Sequence, residues 1–567
     1  MFGARRTSVA ALGRAALSTQ ARSSSSWAST VAKGFIGLSA ALGGGVYYGS
    51  QVDEGFARSL FFYTKAMPAY IHYRTKQVVM EDLLKLPSHE QDAHYEELHD
   101  LYAPTLYDVV LHLKGFYVKL AQIGSTRHDF LPKQYLDRCK ILQSDAPSKP
   151  MEEIIAIIER SYGKPISEIF LSIDTKPLGA ASIGQVHKAV LLDGRTVVVK
   201  VQFPEAEHHF RNDIGTIKTF CKLAQPEQLP FLNEVEKQFM TEFDYRREAA
   251  NLAEVRANIA KSPYADRFVV PAPFPELCTK DVLVMEFLDG KSLLDGIQDH
   301  FELVAKEKNT TVEALKAEQE RIDAERAAKG LARESGPSED EMRKIQNYLR
   351  LRSMATTVGH AMYDYTLGWV VPRTVVLAED IVDPNRLLNF AEILRLIVEV
   401  HGHEIFVDGC FNGDPHPGNI MLLRDGRMGL IDYGQVKHLT REQRVRLAKL
   451  VVALAEGTSE DVVHAMTHEI QIKTKHMDPY VLEKLARIMM DRDDSSITNG
   501  MNIQLFAETL SKRDPVVEQS DDFVMAYRVS LLLRGLSYAL HYDMSHADMW
   551  KDICKRVIAE DAANAKD

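Results

Sequence analysis

Acidic residues are missing from the first 52 positions, where Arg5, Arg6, Arg14, Arg22 and Lys33 stand among serines and alanines such as those of ALSTQARSSSSWAST. That composition is expected of a mitochondrial or plastid transit peptide, the mitochondrion ahead of the plastid, with a disordered basic tail as the plainer alternative. Charge of either sign is then missing from residues 34–52, GFIGLSAALGGGVYYGSQV. Such a run approaches the ~20 residues that span a bilayer as a helix. Its glycines would permit close helix contact in lipid while lowering its hydrophobicity. It reads as a membrane anchor, or else as more presequence or a buried glycine-rich helix. Close cysteine pairs are missing too: Cys139, Cys221, Cys278, Cys410 and Cys554 lie far apart with no C-x-x-C. That spacing offers no zinc or disulfide framework and suggests buried thiols. Nor is there an excess of basic charge, since 68 Lys and Arg against 79 Asp and Glu leave −11, which argues against nucleic acid as a partner.

What is present is a sizeable apolar fraction, 45% hydrophobic with 26% charged in 567 residues, enough for more than one domain. From 55 to about 165 the pattern is helical, as in LYDVVLHLKGFYVKLAQIGSTR, with apolar residues at three- and four-residue steps. The period then changes. KPLGAASIGQVHKAVLLDGRTVVVKVQFP predicts two strands about an Asp193-Gly194 turn. Helix returns over 232–260, and DVLVMEFLDG at 281–290 predicts a buried strand. Residues 300–380 contain a stretch dense in Glu, Lys and Arg, broken at Gly336-Pro337, which predicts an exposed helical insertion without chemistry.

The chemistry concentrates in FNGDPHPGNIMLL at 411–423 and GLIDYGQV at 429–436. Asp414 and Asn419 have the D-x-x-x-x-N spacing of a kinase catalytic loop, in which the aspartate orients the accepting hydroxyl and the asparagine binds Mg²⁺. Asp432, in Asp432-Tyr433-Gly434, stands where a second metal-binding aspartate belongs. The apolar runs between them predict a hairpin through Asp425-Gly426 that brings Asn419 and Asp432 together. Mg²⁺ needs only a few hard oxygens from protein and leaves its other positions to phosphate and water. Lys200, ending TVVVK, stands where kinases place the lysine that grips the phosphates. Glu242, Asp244 and Glu248 in TEFDYRREAANL are candidate carboxylates to hold it, with Asp244 and Glu248 predicted to share one helical face. The GAASIGQV loop, 179–186, lies one hairpin before Lys200, where a phosphate-covering loop is expected, although it is not G-x-G-x-x-G. His416 is predicted to serve as a structural hydrogen-bonder within the turn.

Together these segments resemble the UbiB, or aarF-domain (ABC1-type), family of atypical kinases, in LGAASIGQVHKA, in Lys119 and Gln122 of FYVKLAQIGSTRHDFLP, in Glu242 and Asp244, and in DPHPGN and DYG. The resemblance covers about 100–300 and 385–450. It implies an α+β, protein-kinase-like bilobal fold, a small β-containing N-lobe and a helical C-lobe, with an N-terminal helical extension. The expected divisions are a presequence at 1–33, the apolar run 34–52, the extension 55–165, the N-lobe 166–299, the insertion 300–380 and the C-lobe 381–567. The resemblance further implies that Lys119 and Gln122 project into the active site near Glu242 and Asp244, leaving Glu248 to hold Lys200. It implies ATP and Mg²⁺ as cofactors, with Asp414, Lys200 and Glu248 as catalytic residues and Asn419 and Asp432 on the metal. Gly179, Ala180, Ala181, Ser182, Gln185, Val186, Glu286 and Phe287 would line the nucleotide. Mitochondrial lipid or quinone metabolism would be the setting, with lipid or quinone-pathway partners and an inner-membrane anchor. Two departures, Ala121 within K-L-A-Q and Gly179 at the head of the alanine-rich loop, point to a branch distinct from the ubiquinone-synthesis members.

Features of ordinary peptide kinases are missing. Asn412 and Gly413 precede Asp414 where His-Arg would stand, and no A-P-E follows. Instead a helix is predicted soon after DYG, capped by Thr440. The expectation is therefore an ATPase or lipid or small-molecule kinase ahead of a protein kinase. The rivals are a nucleotide-binding scaffold without turnover and, more remotely, a kinase of the aminoglycoside or choline type, which would lack the KLAQ helix and the AASIGQV loop.

Overall fold

The computed structural model describes residues 53–125, 134, 135, 138, 148–180, 183–224, 229–329, 336–366, 388–501, 503–520 and 522–564. The expected presequence and the apolar run 34–52 lie outside them, as do Ala181, Ser182 and the side chains of Lys119 and Gln122. Among the described residues no helix is long and apolar enough to cross a membrane.

The chain divides into two units: Met1–Val118 with His208–Leu229, and Lys119–Glu207 with Pro230–Asp567. The first is helical. Helix Glu54–Gln77 starts at Asp53, whose side chain accepts from Phe56 N–H, and most of helix Ala206–Ala224, expected inside the N-lobe, belongs to this unit. Arg58 donates from Nε to Asp213 Oδ1 at 2.9 Å and from Nη2 to Leu113 O at 2.7 Å, while Phe62 packs edge-on against Phe220.

In the second unit, strands β1 (Phe170–Ile173), β2 (Gly179–Ala180), β3 (Gly184–Leu191), β4 (Thr196–Gln202) and β6 (Val282–Glu286) form one antiparallel sheet, ordered β1-β3-β4-β6 with β2 against β3. Strand alternation divides its side chains. Val197, Val199 and Val201 of β4 join Ala189 and Leu191 of β3 in a core with Ile154 and Ile158 of helix Met151–Tyr162. Val198 lies in a different core, shared with the large helical lobe, and Lys200 follows it on the same face of the strand. A second sheet, β5 (Phe268–Val269), β10 (Met428–Leu430), β9 (Ile420–Leu423) and β7 (Gly290–Ser292), and a ribbon of β8 (Cys410–Asn412) with β11 (Val436–His438) carry the loops of interest.

Both Asp-Gly turns form as predicted. Gly194 and Gly426 have φ of +89° and +88°, a region that glycine enters without steric cost. In each turn the aspartate accepts from the arginine N–H two residues on, Asp193 from Arg195 and Asp425 from Arg427, at 3.0 Å. The helix predicted after DYG also forms, as Arg441–Glu456, with Thr440 and Gln443 closing a capping box. The charged stretch includes helices Leu293–Glu307, Val312–Ala328 and Glu339–Thr366. It is anchored at its middle, where Gly336 N–H donates to His541 O at 2.8 Å and Tyr542 OH to Pro337 O at 2.7 Å.

One helix differs from expectation. The segment 232–260 is two helices, Leu229–Glu242 and Tyr245–Ile259, because Asp244 leaves helical geometry and caps the second by accepting from Arg246 N–H. Asp244 and Glu248 are therefore not a pair within one helical face, and the Asp244 carboxylate is engaged by the Arg246 side chain at 2.8 Å.

Candidate active site

Lys200 stands on β4 with its ammonium between carboxylates. Its Nζ donates to Glu248 Oε1 and Oε2 at 2.9 and 3.0 Å, and Asp432 Oδ2 lies 3.5 Å away. Glu248 is fixed on helix Tyr245–Ile259 with a side chain 4% exposed, whereas that of Asp432 is 39% exposed. Burial alone would lower the lysine, but the charges of Asp432 and Glu248 outweigh it and hold Lys200 well above its ordinary value. The Tyr245 ring lies 5.1 Å from the ammonium and closes another side.

The Asp432 segment is pinned from below. Tyr433, almost wholly buried, donates its hydroxyl to Glu404 Oε1 at 3.0 Å. The Tyr433 carbonyl accepts from Asn251 Nδ2 at 3.0 Å, and Asp432 Oδ1 accepts from Gly434 N–H at 3.0 Å. A Cβ placed on Gly434 would sit 3.4 Å from Asp432 Oδ1, 3.7 Å from Glu248 Oε2 and 3.8 Å from Glu242 Cγ, so three acidic side chains converge on one glycine.

The Asp414 loop is tied to that segment through Asn412. Its Nδ2 donates to Asp432 O at 2.8 Å, and its Oδ1 accepts from Asp414 N–H at 2.8 Å. The asparagine that displaces the usual His-Arg pair thus binds the two loops to each other. Within the turn, His416 Nδ1 accepts from Gly418 N–H at 3.0 Å, and Asn419 N–H donates to His416 O at 2.8 Å. The β9–β10 hairpin brings Ile431 N–H within 3.1 Å of Asn419 O, which sets Asn419 next to Asp432.

Three residues that the sequence did not single out join these elements. Gln435 Nε2 donates to Glu242 Oε1 at 2.5 Å, and its Oε1 accepts from Arg528 Nη1 at 2.8 Å. Arg528 also lies 3.6 Å from Asp414 Oδ1. Glu242, Gln435, Arg528 and Asp414 are therefore one polar chain, and Tyr245 is the third addition. Gln435 was discoverable from its place directly after DYG. Arg528, on the distant helix Val524–Ala539, left no signal in the sequence.

Among the residues expected on the nucleotide, Gly179 and Ala180 pair with Val186 and Gln185. Val186 is the cross-strand partner of Lys200 and shares its face. Gln185 is a correction. It points to the opposite face, fully buried, where its amide binds the Lys149 backbone and the His187 ring, so its side chain is spent inside the sheet. Glu286 ends β6 with its carboxylate on Arg256 Nη1 and Ala272 N–H, and its own N–H donates to Ala272 O at 2.8 Å, so residues 272–274 cover the outer side of β6.

A strand lysine held by a helical glutamate, followed by an aspartate loop, a hairpin and a second aspartate, defines a protein-kinase-like α+β molecule. Residues 141–318 and 377–466 match the ABC1 atypical kinase-like domain, the match passing over 319–376. By this match the chain is similar to the atypical kinases of the ABC1, aarF-domain and UbiB kind. It is 37% identical over 205 residues to AarF domain-containing protein kinase 1 of Mus musculus, 35% of this chain and 38% of that one. It is 26% identical over 483 residues to the chloroplastic Protein ACTIVITY OF BC1 COMPLEX KINASE 1 of Arabidopsis thaliana, 82% of this chain and 57% of that one. It is 35% identical over 187 residues to the probable protein kinase UbiB of Marinobacter nauticus, 32% of this chain and 34% of that one. Each of these matches spans less than two thirds of the relative.

Proposed function

We propose that the protein is an Mg²⁺- and ATP-dependent atypical kinase or ATPase acting in mitochondrial lipid or quinone homeostasis. The observation that carries this reading is Lys200, held by Glu248 at 2.9 Å with Asp432 3.5 Å away on the exposed side. A charged lysine on a buried strand beside an accessible carboxylate is suited to a triphosphate carrying its own cation. Asp432 and Asn419 would hold Mg²⁺, both supplying the hard oxygen donors that ion prefers. When bound, Mg²⁺ neutralises charge on the phosphates. Lys200 would bind the phosphates and Glu248 would keep its ammonium aimed. Asp414 would orient the accepting hydroxyl or water, its backbone set by Asn412. Val186, Gly179, Ala180, Ala181 and Ser182 would cover the phosphates and base, with Glu286 and Phe287 at the end of β6 beside them. Lys119 and Gln122 would project toward Glu242. The acid-free leader supports a mitochondrial address, and residues 34–52 an inner-membrane anchor.

A second reading, a nucleotide-binding scaffold without turnover, draws on Arg528. Its guanidinium lies 3.6 Å from Asp414, where an acceptor hydroxyl would have to approach.

Calorimetric titration with ATP, with and without Mg²⁺, alongside measurement of phosphate release, tests both readings. The expected result is Mg²⁺-dependent binding with slow hydrolysis, binding being lost in Asp432→Asn and hydrolysis alone in Asp414→Asn. Binding without hydrolysis would select the scaffold. Binding indifferent to Asp432→Asn would remove the assigned site.

A further inference from the structure

Outside the nucleotide residues, three side chains of metal-binding type converge from three elements. Cys410 on β8 and His438 on β11 are direct cross-strand partners, and Glu254 reaches them from helix Tyr245–Ile259. One ligand atom from each lies within 4.8 Å of the others. His438 Nε2 and Glu254 Oε2 are already 3.1 Å apart. We propose that Glu254, Cys410 and His438 bind one zinc-class ion, pinning the helix that carries Glu248 to the ribbon that flanks the Asp414 and Asp432 loops.

The donor set selects the metal. A thiolate, an imidazole and a carboxylate suit Zn²⁺, whereas Mg²⁺ and Ca²⁺ take oxygens. Bond lengths of ~2.3 Å to sulfur and ~2.0–2.2 Å to nitrogen and oxygen put tetrahedral ligand atoms roughly 3.3–3.8 Å apart. The three groups therefore close on an ion with side-chain shifts alone. Their burial is asymmetric: Cys410 is 1% exposed, while the His438 and Glu254 side chains are 56% and 46% exposed. The ion would enter from solvent, settle against the buried sulfur and keep a fourth position for water.

Without metal the thiol keeps its proton, because burial and the neighbouring Glu254 carboxylate push Cys410 far above an ordinary thiol. Binding therefore replaces an S–H bond with an S–Zn bond and releases one proton to solvent, with no change of oxidation state. The position gives the ion a consequence. Glu248 and Glu254 share one helix, β8 runs directly into Asp414, and β11 follows Gly434. An ion bridging these elements resists the outward swing of the helix that would draw Glu248 off Lys200.

The test is titration of the full chain, without nucleotide, with Co²⁺ as an optical stand-in for Zn²⁺. One equivalent should give a sulfur-to-cobalt charge-transfer band that Zn²⁺ abolishes and excess Mg²⁺ leaves in place. Cys410→Ser should remove the band. Because Cys410 is buried, the surface variants His438→Gln and Glu254→Gln provide the independent check, each expected to weaken Co²⁺ at least tenfold. Asp432→Asn should leave the band intact, so failure of the nucleotide site and failure of this site are distinguishable. No band in the wild type, or a band indifferent to His438→Gln or lost in Asp432→Asn, would overturn the proposal.

Discussion

Glu404 lies directly beneath the Asp432 loop, wholly buried, and accepts the Tyr433 hydroxyl at 3.0 Å. Burial pushes its carboxyl up to about 8, so it is protonated in the folded chain at neutral pH. A folded value raised above the unfolded one gives stability that is fully present below about 4.5 and lost as pH rises through about 8. Glutamine keeps an oxygen for Tyr433 and has no charge to form. Glu404→Gln is therefore expected to raise the unfolding free energy by on the order of 1–3 kcal/mol at pH 8.5, with little change at pH 5. Urea unfolding at both pH values checks this, and an equal effect at both would remove ionisation as its cause. The same residue-scale logic separates Lys200 from Asp244. Lys200 is a candidate from its place at the end of TVVVK and Asp244 as a carboxylate to hold it, but only Lys200 is enclosed by carboxylates of other elements. Asp244 meets the arginine two residues along its own chain.

Among the elements, the break at Phe243-Asp244 matters most, because it frees Glu242 from the helix that carries Glu248. Glu242 can then bond Gln435 while Glu248 bonds Lys200. Asp244 holds the start of the second helix, and an N-cap is worth about 1 kcal/mol. Asp244→Ala should lower stability by roughly that amount in denaturant unfolding, and Asp244→Ser, which keeps a capping oxygen, should recover most of the loss. A loss of equal size in both would show that the Arg246 ion pair matters and the cap does not. Much at this scale was legible in the sequence because it is local. The two Asp-Gly turns, the Thr440 cap and the 281–290 strand each follow from a few adjacent residues. The DPHPGN and DYG loops and the TVVVK strand were legible for the same reason. The helix break was not, since 232–260 keeps an apolar period across it and only Asp244 marks the cap. For Gln185, strand parity overrides membership of the loop. Val186, not Gln185, pairs with Lys200, and alternation then sends Gln185 to the far face. Arg528 and the Glu254–Cys410–His438 group depend on contacts between distant segments, which no local pattern encodes.

At the scale of the folded molecule, histidines buried in the helical lobe set the acid limit of stability. His300 is buried with its Nδ1 accepting from Leu388 N–H at 3.1 Å, and burial lowers it to about 4. His401, on helix Phe390–His403, is likewise lowered to about 4 by burial, partly offset by its bond to Ile397 O at 2.8 Å. In the unfolded chain both sit near 6.5. Between these values the unfolded state binds more protons than the folded one, so stability is intact above about 6.5 and falls as pH drops toward 4. Each histidine forfeits up to about 3 kcal/mol across that window, a sizeable part of the 5–15 kcal/mol that usually holds a domain together. The expected outcome is acid unfolding of the lobe beginning between about pH 6 and 5, well above the range in which surface carboxylates titrate. Glu404 acts with the opposite sign over an overlapping range, so its protonation supports the fold as the histidines begin to undermine it. Replacing His401 with glutamine removes one proton from the balance whatever it does to packing. Whatever its offset, the variant's slope of unfolding free energy between pH 6 and 4.5 should be shallower by about one proton's worth, ~1.4 kcal/mol per pH unit at most. A slope identical to that of the wild type would show that His401 is charged in the folded state.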